Sequence, residues 1–308
     1  MSAPSDLIER LGLAPGTRAI ILNADDFGMC HAANVAIAEL LDAGHIDSAT
    51  IMVPCSWSPE ALAFAAARTD LDVGVHLVLT SEWTRYRWRP LTPGATLVDD
   101  DGCFPTDVVS VETRAATDEV AAEIEAQVRT ALATGADITH IDNHMGSVYG
   151  LLTGRDFLAQ VFELAARHGL PFRLPRRMDG VEADAALHAK LEQASAAADA
   201  LGIEIIDRLW SHPFELAGEG TDAEESYEQV RDGFLALLRA VPVGVTEVYL
   251  HPMVDGEELR AAVDFASPKR DYERRLLADP VVAQVIADEG LVRIGWRALR
   301  DLQRGTIR

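Results

Sequence analysis

Ile20-Ile21-Leu22-Asn23-Ala24-Asp25-Asp26-Phe27-Gly28 is an apolar run of strand length that stops at two adjacent carboxylates, with a helical pattern from about His31. That order reads as a buried parallel strand delivering acids to its C-terminal end, where α/β enzymes keep their chemistry. Successive strand side chains point to opposite faces. For both acids to share a site the chain must therefore turn at the pair, and Gly28 permits such a turn. The competing reading is a plain strand-end turn with Asp26 as the N-cap of the next helix. The positions of the histidines decide against it.

Working outward, apolar strand patterns fall at 18–25, 48–54, 73–79, 137–143, 171–175, 203–209, 245–251 and 290–296. Amphipathic helical patterns lie between them near 31–43, 59–68, 117–134, 155–168, 184–201, 224–240 and 270–287. Eight strands alternating with helices predict a single α/β domain over 1–308, a distorted (β/α) TIM-like barrel. A doubly wound open sheet is the alternative. Its dinucleotide-binding form is disfavoured, because the first turn carries Asp-Asp-Phe-Gly and not GxGxxG. Two connections are long. Residues 81–116 form an insertion holding Trp83, Arg85, Tyr86, Arg87 and Trp88, and residues 252–269 form a second. Long ordered loops at this end of such a fold often line the site. Trp83 and Trp88 are therefore expected to meet substrate, since aromatic faces suit the apolar faces of sugars.

The chain has 308 residues, 48% of them hydrophobic, with a net charge of -22. The acidity argues against nucleic acid or an anionic membrane as partner. No apolar run reaches membrane-spanning length and Met1 to Arg10 lacks a signal-peptide core, so a cytoplasmic protein is expected. Cys30, Cys55 and Cys103 are widely spaced and read as reduced thiols, not zinc ligands. A homodimer is compatible with the sequence, which does not decide oligomeric state.

His76 ends the apolar strand Val73-Gly74-Val75-His76-Leu77-Val78-Leu79-Thr80. In His140-Ile141-Asp142-Asn143-His144, alternation puts His140, Asp142 and His144 on one side. A buried polar row of that kind needs partners, and a metal is an economical one. Arg173 ends the fifth strand and can pin a carboxylate. His251, before Pro252, ends the seventh and is placed to donate a proton. His212 follows the sixth strand as a candidate for the rim, and Tyr149 as a candidate for the substrate wall. His31, His45, His168 and His188 are given no chemistry.

Asn23-Ala24-Asp25-Asp26-Phe27-Gly28, Gly74 to Thr80, Thr139-His140-Ile141-Asp142-Asn143-His144 and His251-Pro252, in that order, resemble the YdjC-like (ChbG/HpnK-type) carbohydrate deacetylases. With Pro90-Leu91-Thr92 and Asp101-Gly102 in the long loop, the likeness covers nearly the whole chain. The resemblance implies removal of N-acetyl groups from amino sugars or oligosaccharides with one divalent metal ion. By position it implies Asp26, His76 and His144 as metal ligands, Asp25 as catalytic base, His251 as acid and Arg173 as the residue orienting the base. It also points to magnesium, whereas two His and one Asp suit zinc by ligand softness. The chain departs from the family after His144, where members often continue with further histidines and this one reads Met145-Gly146-Ser147-Val148-Tyr149-Gly150. A hydrolase of another amide or ester, and a non-catalytic metal-stabilised carbohydrate-binding protein, are the alternative functions. Retention of both Asp25 and His251 argues against the last, because binding alone needs neither.

Overall fold

The structure is a computed structural model describing residues 6–178, 185–221, 223–263 and 267–306. All eight expected strands are present: β1 Arg18–Phe27, β2 Ser48–Ile51, β3 Val73–Leu77, β4 Ile138–Asn143, β5 Pro175–Arg177, β6 Ile206–Ser211, β7 Gly244–Leu250 and β8 Val292–Arg293. Every pairing is parallel, in the order β4-β3-β2-β1-β7-β6-β5, with β8 added on β1. This is an α/β fold built on a curled parallel sheet. The path ends at β4 and β5, and among the described residues one isolated bridge, Ile141 to Phe172, runs between those ends. The fifth strand begins later than its apolar pattern suggests, leaving Arg173 just ahead of it. The backbone N–H of Arg173 donates to Ile141 O at 3.0 Å and that of Phe172 to Glu204 O at 3.1 Å, so the segment is held from both sides.

The β1 residues divide cleanly by parity. Ile20, Leu22 and Ala24 join the large core with helix residues such as Ile37, Leu40 and Leu62. Ala19 and Ile21 join a second cluster with Ile206, Val245, Trp296 and Leu299. Asn23 and Asp25 continue the Ala19–Ile21 row, so one face runs from an apolar floor into a polar top. Both faces are buried, as parallel sheets require.

The expected helices are observed at His31–Asp42, Ser58–Ala67, Thr117–Ala133, Leu158–His168, Ala185–Ala200 and Tyr227–Ala240. The single helix expected over 270–287 is two, Ser267–Leu277 and Pro280–Asp288. Proline cannot continue a helix but suits its first turn, and Asp279 caps the second by accepting from Val281 N at 3.0 Å. Residues 264–266, within the second long connection, and residue 184 lie outside the described residues. Among the described residues no helix is long and apolar enough to cross a membrane.

The 81–116 insertion is an ordered unit. Arg87 donates to Asp99 at 2.7 Å and to Phe104 O at 2.6 Å. Glu123, buried in the Thr117–Ala133 helix, accepts from Leu91 N at 3.1 Å and Thr92 N at 2.9 Å.

Candidate metal centre and active site

Asp26 has φ 68°, so the chain turns left-handed at the acid itself and again at Gly28, φ 86°. A non-glycine residue there is strained, and such strain gathers at functional sites. The kink breaks the alternation that would send the two carboxylates to opposite faces. Asp26 Oδ1 and Asp25 Oδ2 both face His76 Nε2, at 3.6 and 3.9 Å. His144, in the turn after β4, brings Nδ1 to 3.4 Å from the same Asp26 oxygen.

That Asp26 oxygen is buried and accepts no hydrogen bond. A buried anionic oxygen facing two imidazole nitrogens, with no donor aimed at it, fits a cation held by all three. The remaining nitrogen of each imidazole meets a carboxylate. His76 Nδ1 lies 2.6 Å from Asp142 Oδ1 and His144 Nε2 lies 2.9 Å from Glu82 Oε2. Such carboxylate partners fix the ring and the tautomer of a metal-binding histidine. Asp142 belonged to the expected row; Glu82 carried no signal in the sequence beyond its place in the loop after β3.

Charge follows the same geometry. Burial alone would push the Asp26 carboxyl up, but the imidazoles of His144, His251 and His76 hold it well below the usual range. Burial works against a charged His144, yet Glu82 and Asp26 on either side raise its pKa well above the ordinary value.

Asp25 is gripped by Arg173 through two hydrogen bonds, Nη1 to Oδ2 at 2.8 Å and Nη2 to Oδ1 at 2.6 Å. Against the effect of burial, Arg173 and His76 bring this carboxyl down to about 2. The guanidinium also lies 2.8 Å from Asp142 and 2.5 Å from Glu247, so one buried cation serves three acids. Glu247 accepts no hydrogen bond, and burial pushes its carboxyl up to about 8 despite Arg173.

His140 falls a layer deeper than the row in the sequence suggests. It stacks on Trp296 with ring centroids 4.8 Å apart, in space that Gly74 leaves open: a Cβ there would lie 2.6 Å from the imidazole. It is a floor residue, outside the group formed by Asp26, His76 and His144. His251 lines the same cavity as Asp25, His76 and His144. Burial, then Arg270, lowers its pKa to about 4, against the pull of Asp26 and Asp25. Its backbone N–H donates to Glu273 at 2.7 Å.

Trp83, Tyr149 and His212 line this cavity, of about 760 Å³. Trp88 does not. It is 2% exposed, packs edge-on to Trp83 and His144, and donates its indole N–H to Thr80 O at 2.7 Å. The indole packs behind Trp83 as wall material. The Tyr149 hydroxyl donates to Arg173 O, tying the wall to the base-holding segment. Asn143, not anticipated as a lining residue, joins His212 in presenting a buried nitrogen without a partner, Nδ2 and Nδ1 respectively.

The sequence profile described as YdjC-like protein matches residues 19–288. The chain belongs to the YdjC-like family. A carbohydrate deacetylase of Thermus thermophilus is 33% identical over 96% of this chain and 98% of its own. A second, from Thermoanaerobacter pseudethanolicus, is 26% identical over 91% and 99%. Both names describe hydrolases that remove acetyl groups from a carbohydrate. Among solved structures, a cellobiose-phosphate cleavage protein of Enterococcus faecalis superposes with a TM-score of 0.71 at 23% identity, covering 92% of this chain and 99% of the other, which is a likeness of fold.

Proposed function

We propose that this YdjC-like protein is a metal-dependent deacetylase that hydrolyses the N-acetyl group of an amino sugar or N-acetylated oligosaccharide. The observation that carries the reading is the orphaned Asp26 oxygen between His76 Nε2 and His144 Nδ1, one residue from an acid locked by Arg173. The names of the two relatives supply the substrate class.

In this reading Asp26, His76 and His144 hold one divalent ion. When bound, it would supply the electrophile for the amide carbonyl and acidify a water beside it. Two imidazoles and a carboxylate suit zinc or another first-row ion by softness, and magnesium remains the choice by family resemblance. Asp25 accepts the proton of the attacking water. Its low pKa keeps it ionised at any working pH, and the Arg173 fork fixes which lone pairs it presents. His251 delivers a proton to the departing amine. Its depressed pKa leaves it neutral at rest, and the proton it hands to the amine is the one that Asp25 has taken from the water, so the two transfers balance. Trp83 and Tyr149 form the wall against the sugar, and the free nitrogens of Asn143 and His212 meet its polar groups.

Acetate release from N-acetylated sugars, with metal analysis of the purified protein, tests the reading. Roughly one divalent ion per chain is expected, lost on chelation together with activity. Full turnover in thoroughly metal-stripped protein would refute it, and turnover only of compounds that are not N-acylated amino sugars would favour a different amide or ester.

A further inference from the structure

The cavity is unlike a site made for sugar alone. Besides the polar groups around Asp26, its lining includes Leu151, Leu158, Leu174, Met178, Leu187 and Leu191, from the connection after β4, the helix Leu158–His168, the β5 segment and the helix Ala185–Ala200, a set of apolar side chains that we call its arm. Lys190 also lines the cavity here, and its ammonium is already engaged. Nζ donates to Gly150 O at 3.2 Å and Gly154 O at 3.1 Å and pairs with Asp156 at 3.1 Å. The apolar character continues to the mouth, where Met145 is 45% and Leu151 52% exposed.

A saccharide fills space with hydroxyls, and each hydroxyl buried without a partner costs free energy. An arm of leucines with its charge spent on a neighbouring loop cannot repay that loss. An apolar chain, in contrast, gains from burial there in proportion to its length. An apolar cavity with polar groups gathered at one place is the common form of a small-molecule site.

We propose that the substrate is amphiphilic: an N-acylated amino sugar whose apolar chain occupies the leucine-lined arm while the amide faces Asp26, His76 and His144. The proposal rests on the deacylase reading of the site. The chain has two chemical sources, an alkyl aglycone or a long N-acyl group, and the same apolar arm suits either.

The test uses two series: methyl, butyl and octyl β-glycosides of N-acetylglucosamine, and glucosamine carrying acetyl, butyryl or octanoyl on nitrogen. Affinity is measured by calorimetry on the metal-stripped full chain, independently of turnover, and KM for acid release on the metal-loaded protein. In one series Kd is expected to fall by up to about four-fold per added methylene, and the series that responds identifies the source. Leu151→Gln and Leu187→Gln should flatten that dependence, with folding checked by thermal melting. Equal affinity across both series, or chain dependence unchanged in both variants, would overturn the proposal. Chain-dependent binding with no acid released from any compound would overturn the deacylase reading and leave the arm standing.

Discussion

Arg173 and Asp25 meet as two parallel hydrogen bonds, 2.8 and 2.6 Å, between groups that are each 3% exposed. The same guanidinium faces Asp142 and Glu247, so the polar top of the sheet has one cation among its acids at this point. Removing one partner of a buried charge group leaves the others uncompensated, which costs more than the pair contributes. Arg173→Gln is expected to lose about 3–5 kcal/mol of stability, together with activity. Urea unfolding of both proteins measures it, and a loss under 1 kcal/mol would mean that the acids take up protons at little cost.

A second expectation concerns the carboxylates behind the ligands. Glu82 and Asp142 each accept from the far nitrogen of a metal-binding histidine in the proposed centre. Glu82→Gln and Asp142→Asn should each weaken divalent-metal affinity by roughly 10–100-fold. Competition with a chromophoric chelator reads this directly. Affinity unchanged in both variants would remove the carboxylate–histidine pairs from the account of the site.

Much of this was legible in the sequence, for a definite reason. Asp25, Asp26, His76, His144 and His251 sit at the ends of strongly apolar strands, where parity and period speak plainly. What the sequence concealed depends on distance in space. Glu82 finds His144 across 62 residues, and Glu247 finds Arg173 across the sheet. Parity failed at two places. His140 shares a side with Asp142 but lies one layer lower, against Trp296. Asp26 leaves the strand geometry altogether by taking a positive φ. Trp88 lies behind Trp83, a difference that aromatic density in a loop does not reveal.

Glu247 gives a pH-dependent expectation. Burial raises its carboxyl to about 8 in the folded protein, against 4.5 when free. Between those values the folded state holds a proton that the unfolded state has lost, so stability from this group falls as pH rises from about 5 to 8 and is level beyond. Glu247→Gln removes the titration and nearly preserves the shape. The variant should gain on the wild type steadily from pH 5 to pH 8, as read by unfolding midpoints. A difference that stays constant over that window would show that Glu247 is ionised in the fold throughout.

The adjacent acids supply the sharpest expectation, because one residue of separation divides their roles. Asp26 offers a buried oxygen with no hydrogen-bond donor toward the two imidazoles, while both Asp25 oxygens are occupied by Arg173. If Asp26 is a ligand, Asp26→Asn exchanges an anion for a neutral amide and loses most of its attraction for a divalent cation. Metal content should fall. Asp25→Asn leaves the three ligands in place, so occupancy should stay near normal, yet kcat should drop by roughly 10²–10⁴-fold, the scale of losing a positioned base. Metal content of both variants, with kcat at saturating metal, separates the roles. Lost metal in Asp25→Asn with normal occupancy in Asp26→Asn would exchange them. Near-wild-type turnover in Asp25→Asn would leave the water without its base and move that duty to another group lining the cavity, of which neutral His251 is the first to test.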